Sequence, residues 1–419
     1  MSDSRRRLAF VYHPQSFGTF ALAKAAQRIC DLVWVADTSV PRVSSMSRLL
    51  SRLGELVDVG GLSVEEAAAA VAAARPDGIL ALHDSQLPWT ASIARRLALP
   101  CVSPEVAERL ADKYIQREAL RAAGLPVGGC WALPDEDDRQ AWTELATQAR
   151  FPAVLKPRRG AGSRDVVAVR SLEELPARLA EISDGPGSRS SQLLLDEYLR
   201  DRPSDEGQDF AGYVSVESIV SAGRVSHLAI TGRFPPAEPF RESGFFIPSA
   251  LDHDERDAVL EVAGAATAAI GVTVGCLHTE IKLTPDGPRV IEVNGRVGGG
   301  TPEMLAAVTD VDLLGIAMRL ALGEPIEFDE MPHCARVVYV LYAHAPASMR
   351  RIIAIDGLQR LRADPNIQRV MLNRGPGQSV HWREGNWGHV FSVHGVVDDH
   401  EQLKTVARQI HAETLIRGE

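Results

Sequence analysis

The sequence predicts an α/β fold in which a parallel sheet comes first and antiparallel hairpins follow. Five short apolar runs in the first quarter of the chain predict buried strands: 8–13, 32–36, 56–59, 78–83 and 100–103. Helical patterns lie between several of them, for example at Ser63–Arg75 and Thr90–Leu97. Strands that alternate with helices pair in parallel through crossover connections. The loop HPQSFGTF after the first strand lacks the GxGxxG pattern, so no dinucleotide site is predicted there.

The middle of the chain predicts a second unit. A helix is expected from about Glu105 to Ala123, because Gly124 and Pro126 supply a stop signal. Residues 151–171 predict a strand, a glycine-bearing loop and a second strand. A helix near 172–183 and a strand at 193–199 follow. The polar stretches 184–191 and 200–209 are expected to be loops.

The last half predicts two strands, Tyr213–Val220 and Arg224–Thr231, joined at Ala222-Gly223. Helices are expected at about Asp254–Gly271 and Met304–Ala321. The end of the chain predicts strands and one helix, at about 335–343, 388–394 and 399–416.

The most informative stretch is CLHTEIKLTPDGPRVIEVNGRVGGG, residues 276–300, in which two alternating runs flank a Pro-Asp-Gly turn. This pattern predicts a β-hairpin. Period-two alternation places Leu277, Ile281 and Leu283 on one face and His278, Glu280 and Lys282 on the other. On the return strand, Ile291 and Val293 are expected on the apolar face, with Glu292 and Asn294 beside Glu280.

Two carboxylates and an amide oxygen on one face suit Mg²⁺, which prefers oxygen ligands and usually adds water and phosphate oxygens. Arg296 follows directly and could pair with a phosphate or an oxyanion. The alternative interpretation is a solvated sheet face with acidic residues. The glycine-rich loop that follows the strand favours the metal–phosphate interpretation.

Size and charge exclude several classes of function. The chain has 419 residues and a net charge of −10, which argues against binding nucleic acid by general attraction. Its five cysteines are dispersed without a CxxC pair, which fits a reduced cytoplasm and predicts no zinc site. Residues 1–7 are polar and basic with no apolar segment after them, so we expect no signal peptide and no membrane span.

Lys156 ends a predicted strand just before the loop RRGAGSRD. Gly160 and Gly162 would let backbone N–H groups approach an anion, and Ser163 adds a hydroxyl donor. Most glycine-rich turns are only turns, and this one is no Walker A sequence. Two carboxylates also need explanation: Glu197, which ends a strand, and Glu217, which lies within an apolar strand where a charge needs a partner or a ligand.

Together these segments resemble the ATP-grasp superfamily, in particular the carboxylate–amine ligases that include the L-amino-acid ligases. The HTEIKL…RVIEVNGRVGGG block carries the resemblance most specifically, and the DK, VLKP and DEYL elements occur in the family's order. The resemblance implies a Rossmann-like pre-ATP-grasp domain at 1–108, an ATP-grasp domain at 109–332 with a lid at about 125–200, and a small α+β domain at 333–419.

The resemblance implies ATP as a cosubstrate. Lys113 and Lys156 match the lysines that contact its phosphates, and Lys113 is expected inside a helix. The Gly160–Ser163 loop matches the mobile loop over the γ-phosphate. The segment of Glu197, Tyr198 and Leu199 matches the hinge at the adenine edge, with Asp196 as an alternative acidic contact.

The resemblance assigns the remaining roles mainly to residues of the predicted hairpin and to Arg296 after it. Glu280, Glu292 and Asn294 match the ligands of two Mg²⁺ ions, for which Mn²⁺ could substitute. Glu217 matches a residue near the ribose. Arg296 matches the arginine that stabilises the transferring phosphoryl group, and the residues expected to act in catalysis are Arg296, Lys156 and Gly299.

The resemblance implies small carboxylate and amine substrates, joined through an acyl phosphate, and a possible homodimer. In the amino-acid ligases a Glu-x-Gly-His element often holds the amino group of the acyl substrate. Here Glu242 is present, but Phe245 stands where a histidine is expected. Other substrate positions are His278, Gly298 and Gly299, and His278 and Glu242 are candidate general bases. The alternatives are a carboxylase-type or nucleotide-biosynthesis ATP-grasp enzyme and a non-catalytic ATP-binding protein.

Overall fold

The computed structural model describes residues 5–135, 137–183, 192–202 and 209–419. The loop expected at 184–191 and most of that expected at 200–209 lie outside the described residues.

The N-terminal part is the predicted parallel sheet, with strands in the order β3-β2-β1-β4. Its strands are β1 (Arg7–Val11), β2 (Asp31–Ala36), β3 (Glu55–Asp58) and β4 (Gly78–Ala81). Its helices are α1 (Thr19–Ala26), α2 (Pro41–Ser44), α3 (Ser47–Leu53), α4 (Val64–Ala73) and α5 (Leu87–Leu97). Leu22 and Leu50 pack on one face of the sheet, while Ala67 and Val71 pack on the other. Both faces are therefore covered, which explains why the strand sequences are continuously apolar.

The strand predicted at 100–103 is wrong, because this segment is irregular and leads straight into a helix. Ser103 is the N-cap of α6 (Pro104–Ala111), and its hydroxyl accepts a hydrogen bond from the Val106 N–H at 3.3 Å. A serine followed by proline is a strong helix-start signal. That local signal prevails over the apolar character of the run.

The single helix predicted from Glu105 to Ala123 is also wrong, since α6 ends at Ala111 and α7 (Lys113–Ala122) begins two residues later. Asp112 breaks the helix with extended φ and ψ, and its carboxylate accepts from the N–H groups of Tyr114 at 3.0 Å and Ile115 at 3.2 Å. Lys113 is therefore the first residue of a helix rather than an interior one.

The expected lid contains a four-stranded antiparallel sheet of order β5-β8-β6-β7. Its elements are β5 (Cys130–Ala132), α8 (Arg139–Gln148), β6 (Ala153–Pro157), β7 (Val167–Val169), α9 (Leu175–Ser183) and β8 (Leu193–Glu197). Leu155, Val169 and Leu195 are among the fully buried residues of its own apolar core.

The largest sheet has eight strands in the order β13-β12-β9-β10-β11-β14-β17-β16. These are β9 (Tyr213–Ser221), β10 (Arg224–Arg233), β11 (Gly244–Ile247), β12 (Gly275–Thr284), β13 (Gly287–Asn294), β14 (Val337–Ala343), β16 (Arg369–Leu372) and β17 (Phe391–Val397). The expected C-terminal segment therefore shares a sheet with the central part of the chain. The remaining elements are α10 (His253–Ile270), α11 (Thr301–Val308), α12 (Leu313–Ala321), β15 (Ile352–Asp356), α13 (Leu358–Ala363), α14 (His400–Glu413) and β18 (Leu415–Gly418).

The helix predicted at Met304–Ala321 is two helices, because Asp312 caps α12 by accepting from the Gly315 N–H at 3.0 Å. Five short strands, β5, β11, β15, β16 and β18, lie outside the strands that the sequence predicts, and β18 shortens the last helix expected at 399–416.

The predicted hairpin is confirmed, with Glu280 paired directly opposite Glu292. A bulge follows, so that Ile281 pairs with Val290 and Ile291 is the extra residue. The expected place of Ile291 on the apolar face is therefore wrong: Val290 is fully buried there instead, and Ile291 lines a cleft beside Glu292.

In the described part of the chain, no helix combines the length and the apolar character that crossing a membrane requires.

Gly244 is the first residue of β11 and pairs with Leu341 of β14, at a place with no room for a side chain. Its φ is +129°, and an added Cβ would lie 2.2 Å from the Val340 carbonyl oxygen. We expect Gly244→Ala to lower the free energy of unfolding by about 1–3 kcal/mol more than Gly223→Ala does. Gly223 is the matched control, because its φ is +81° and an added Cβ would meet nothing within 4 Å. Urea unfolding of both variants tests this, and equal losses would contradict it.

Candidate functional site

A cleft of about 430 Å³ lies between the lid sheet and the polar face of the β12–β13 hairpin. Its volume is within the range of small-molecule sites. Most of the nucleotide and metal positions predicted from the sequence line it: Lys113, Lys156, Gly160, Gly162, Ser163, Asp196, Glu197, Tyr198, Leu199, Glu280, Glu292, Asn294 and Arg296. The fold thus brings together residues that lie up to 183 positions apart.

Lys113 reaches into the cleft from the start of α7. Its Nζ lies 2.9 Å from Glu292 Oε1 and donates to the Gly160 carbonyl oxygen at 2.8 Å. One lysine therefore contacts both an expected metal ligand and the glycine-rich loop. An ammonium group in this position can pair with a phosphate that lies between Glu292 and the glycine-rich loop.

Lys156 lies near the end of β6 and is almost fully buried. Its Nζ is 2.7 Å from Asp196 Oδ2, and Arg117 Nη2 donates to the same oxygen at 2.9 Å. Burial lowers the pKa of Lys156, but the Asp196 carboxylate outweighs it, so that the pKa is raised. The ammonium therefore stays charged at the cleft wall.

This geometry changes the interpretation of the acidic residues in β8. The Asp196 carboxylate is committed to two cations, which favours a role in positioning Lys156 over a direct adenine contact. Glu197 Oε2 accepts from the Gly129 N–H at 2.7 Å and so ties β8 to the chain before β5. Tyr198 and Leu199 line the cleft as expected of a hinge segment.

Glu280, Glu292 and Asn294 form an oxygen-rich surface at one side of the cleft. Asn294 Nδ2 donates to the His278 carbonyl oxygen at 3.3 Å, which leaves the amide oxygen for a ligand. Burial raises the pKa of Glu280, but His278, Arg233 and Arg296 outweigh it and hold the pKa below its usual value. Within the described residues, no group of three or more His, Cys, Asp or Glu side chains gathers into a metal site. The donor set is therefore two carboxylates and an amide, which suits Mg²⁺ completed by phosphate and water.

Arg296 follows β13 and makes a contact that the sequence analysis missed. Its Nε donates to Asp84 Oδ2 at 2.6 Å, and Asp84 lies in the turn after β4, 212 positions earlier. Burial lowers the pKa of Arg296, but Asp84 outweighs it, with Glu280 and Glu292 adding to the effect, so the pKa is raised. The one sequence feature that could have indicated a role for Asp84 is its place after the carboxyl end of a parallel strand. Ligand sites are often found at this end of a parallel sheet.

Glu217 does not line the cleft, contrary to its expected place near the ribose. It lies 1% exposed on β9, where Oε1 is 2.7 Å from His278 Nδ1 and accepts from the hydroxyls of Ser215 and Thr231 at 3.2 Å. An added Cβ at Gly298 would lie 2.8 Å from Glu217 Oε2. Glu217 therefore faces the glycine-rich segment after Arg296.

His278 lies between Glu217 and Glu280. Burial lowers its pKa, but the Glu217 carboxylate outweighs burial and raises it. Its Nε2 is 3.6 Å from Glu280 Oε1 and 3.2 Å from Arg233 Nη2. A raised pKa makes His278 a weaker candidate for a general base at neutral pH.

Glu242, expected near the amino group of the acyl substrate, is paired with the buried guanidinium of Arg233. An ammonium would have to compete with that guanidinium. The Phe245 ring lies under the same guanidinium, 5.3 Å from it, and would be 3.2 Å from a Cβ added at Gly300. Gly299 faces open space, since an added Cβ there would meet nothing within 4 Å.

The C-terminal segment closes one side of the glycine-rich loop. The Asn386 N–H donates to the Gly162 carbonyl oxygen at 2.8 Å, and Arg383 Nε donates to Asp165 Oδ1 at 2.6 Å. Asn386 Oδ1 also accepts from the Glu242 N–H at 2.8 Å. Residues 383 and 386 of the C-terminal segment therefore contact the glycine-rich loop, and Asn386 also contacts Glu242.

Part of the chain is similar in sequence to known proteins. Residues 149–303 match the ATP-grasp domain family. The chain is 29% identical over 310 residues to carnosine synthase 1 of Gallus gallus, which covers 68% of this chain and 32% of that protein. It is 28% identical over 204 residues to the alanine–anticapsin ligase of Bacillus amyloliquefaciens, which covers 46% of this chain and 42% of that protein. The matched region thus spans about a third of the carnosine synthase and less than half of the ligase.

Among solved structures, the L-amino acid ligase from Bacillus licheniformis matches with a TM-score of 0.75 and 20% identity, over 99% of this chain and 100% of that chain. At this identity the match shows the fold, and it confirms the predicted α/β architecture. The protein therefore contains an ATP-grasp domain within an ATP-grasp fold, and it is related to a carnosine synthase and an alanine–anticapsin ligase.

Proposed function

We propose that the protein is an ATP-dependent carboxylate–amine ligase. It joins two small, amino-acid-like molecules by an amide or peptide bond, through an acyl phosphate, and releases ADP and phosphate. The observation that carries the proposal is the convergence of three cations and three oxygen ligands on one cleft beneath a glycine-rich loop. They are Lys113, Lys156, Arg296, Glu280, Glu292 and Asn294.

Charge neutralisation is the main task of a site that transfers a phosphoryl group. Lys156, held by Asp196, and Lys113, held by Glu292, place two ammonium groups in the cleft. The Gly160–Ser163 loop lines the same cleft, and in the proposed reaction its backbone covers phosphate oxygens and excludes water.

Glu280, Glu292 and Asn294 are the residues that would hold Mg²⁺, since all three present oxygen donors to the cleft. Bound there with ATP, Mg²⁺ would supply positive charge that offsets the charge of the triphosphate. The two-ion arrangement, replacement by Mn²⁺, a homodimer and a cytoplasmic location remain predictions.

The reaction follows from these groups. A substrate carboxylate oxygen attacks the γ-phosphorus of ATP, which gives an acyl phosphate and ADP. An amine nitrogen then attacks the acyl carbon, and inorganic phosphate leaves as the amide forms. In the proposed reaction, Arg296, oriented by Asp84, and the N–H groups of Gly298–Gly300 stabilise the negative charge of the tetrahedral oxygen.

Phosphate release from Mg-ATP across a matrix of amino acids, other small carboxylates and amines tests the proposal. We expect release that needs one carboxylate and one amine, with the condensed product visible by mass. Release with bicarbonate or a ribotide alone would assign a different ATP-grasp reaction. ATP binding without turnover on any pair would overturn the ligase assignment.

Removal of the charge of one expected metal ligand should strongly lower turnover. We expect Glu292→Gln to lower kcat by about a hundredfold or more, because the charge on the phosphates is then less well balanced. Chelation of Mg²⁺ should stop phosphate release by the unmodified protein. Glu261→Gln, on an exposed position of α10, is the matched control and should behave like the unmodified protein. A Glu292→Gln variant with more than a tenth of the normal rate would contradict the assigned role.

Asp84 is proposed to position Arg296. In Asp84→Asn, Arg296 loses its anionic partner and is drawn towards Glu280 and Glu292. We expect kcat to fall about tenfold to a hundredfold, with a higher Mg²⁺ requirement and little change in the KM for ATP. Asp84→Glu keeps the charge and should restore part of the rate. A loss of thermal stability with unchanged kcat and Mg²⁺ requirement would instead indicate a purely structural contact.

A further inference from the structure

The C-terminal segment is packed against the lid at residues 382–388. The Trp382 side chain is buried in the apolar core of the lid. Arg383 Nη2 donates to the carbonyl oxygen of Ile182, in α9, at 2.7 Å. These contacts anchor residues 382–388 beside the glycine-rich loop of residues 158–165.

The glycine-rich loop and the C-terminal segment meet backbone to backbone. The Asn386 N–H donates to the Gly162 carbonyl oxygen at 2.8 Å. Gly385 has a φ of +61°, and an added Cβ would lie 2.1 Å from that same oxygen. On the loop side, a Cβ added at Gly162 would lie 2.8 Å from Trp387 Nε1. Neither glycine has room for a side chain, so the position of the loop depends on the position of the segment.

The side chain of Asn386 binds Glu242. Its Oδ1 accepts from the Glu242 N–H at 2.8 Å, and its Nδ2 donates to Glu242 Oε2 at 3.4 Å. The Glu242 carbonyl oxygen lies 2.8 Å from His344 Nε2, which fixes the backbone at this point. Asn386 therefore binds the loop through its backbone and Glu242 through its side chain.

From Glu242, a row of polar contacts leads to Glu280, one of the expected metal ligands. Glu242 pairs with Arg233. Arg233 Nη2 lies 3.2 Å from His278 Nε2, and that nitrogen lies 3.6 Å from Glu280 Oε1. Arg233 and His278 are almost fully buried. Since an unpaired charge is costly in such a place, the row is stable in the arrangement that pairs its members.

Lys113 makes another connection between the loop and an expected metal ligand, since it contacts Gly160 and Glu292. The two connections start at different glycines of one loop and end at Glu292 and Glu280, the two carboxylates of the donor set. The position of the loop and the geometry of the donor set are therefore coupled. Lys113 already has a role in the proposed reaction, whereas Asn386 has none so far.

We propose that Asn386 is a positioning residue of this reaction: it keeps the glycine-rich loop closed by tying it to the Glu242–Arg233 pair, and so protects the acyl phosphate from water. This inference rests on the proposed ligase function. An acyl phosphate reacts with water as well as with an amine, so the loop has to stay closed between the two steps. In the side reaction a water oxygen attacks the acyl carbon, inorganic phosphate leaves and the substrate carboxylate is regenerated.

The first test measures amide formed per phosphate released. Asn386→Ala removes both side-chain contacts to Glu242 and keeps the N–H that binds Gly162. We expect the ratio of amide to phosphate to fall below about half of the unmodified value, because water then competes with the amine. The rate of phosphate release and the KM for ATP should change little. Gln368→Ala is the matched control, since Gln368 is exposed in the same C-terminal segment.

The second test needs no substrate. Trypsin cleavage after Arg164, an exposed residue of the loop, reports how often the loop leaves the segment. We expect cleavage to be about fivefold faster in Asn386→Ala, the factor for the loss of a single hydrogen bond. Gly385→Ala should have a similar or larger effect, because its Cβ would displace Gly162. Gly377→Ala is its matched control, with a φ of +85° and nothing within 4 Å of an added Cβ.

The proposal requires both changes in Asn386→Ala, and a change in only one of them would overturn it and leave the ligase function intact. A raised KM for ATP with an unchanged ratio of amide to phosphate would identify a direct nucleotide contact and would also overturn it. If the unmodified protein forms no amide with any substrate pair, the ligase function fails, and the role in excluding water fails with it. Faster cleavage of Asn386→Ala would then still show that this residue holds the loop.

Discussion

The pairing of Glu280 with Glu292 across the β12–β13 hairpin is the constraint on which the rest of the site depends. Because the two strands are antiparallel and in this register, both carboxylates and Asn294 face the same side of the large sheet. The bulge after Glu280 preserves that face by placing the extra residue, Ile291, in the cleft and Val290 in the core. A one-residue slip of this register would turn the carboxylates into the apolar interior.

The cleft balances its charges by pairing groups from different parts of the fold. Lys156 of the lid meets Asp196, Lys113 of α7 meets Glu292, and Arg296 meets Asp84 of the N-terminal sheet. Each cation is held by a carboxylate on another element, so its orientation depends on tertiary structure. In the proposed reaction these pairs hold the cations ready for phosphate while keeping the buried charges compensated.

The C-terminal segment is part of this machinery because it continues the central sheet through the β11–β14 pairing. That continuity fixes residues 382–388 against the glycine-rich loop, where Asn386 binds both Gly162 and Glu242. The segment also forms one wall of a groove of about 1390 Å³, whose other wall includes the loop after β1. The glycine-rich loop and the Glu242 region are therefore connected through one short stretch of chain.

The sequence by itself determined the α/β class, the hairpin with its two carboxylates and the glycine-rich loop, because these features depend on local periodicity and turn chemistry. It could not show that Asp112 and Asp312 cap separate helices, since the surrounding apolar spacing fits one continuous helix. Tertiary structure alone decided that Asp84 holds Arg296, that Arg233 neutralises Glu242 and that Glu217 faces Gly298 rather than the cleft beside the hairpin. Such contacts join residues far apart in sequence, and no pattern of spacing encodes a distance between elements that only packing brings together.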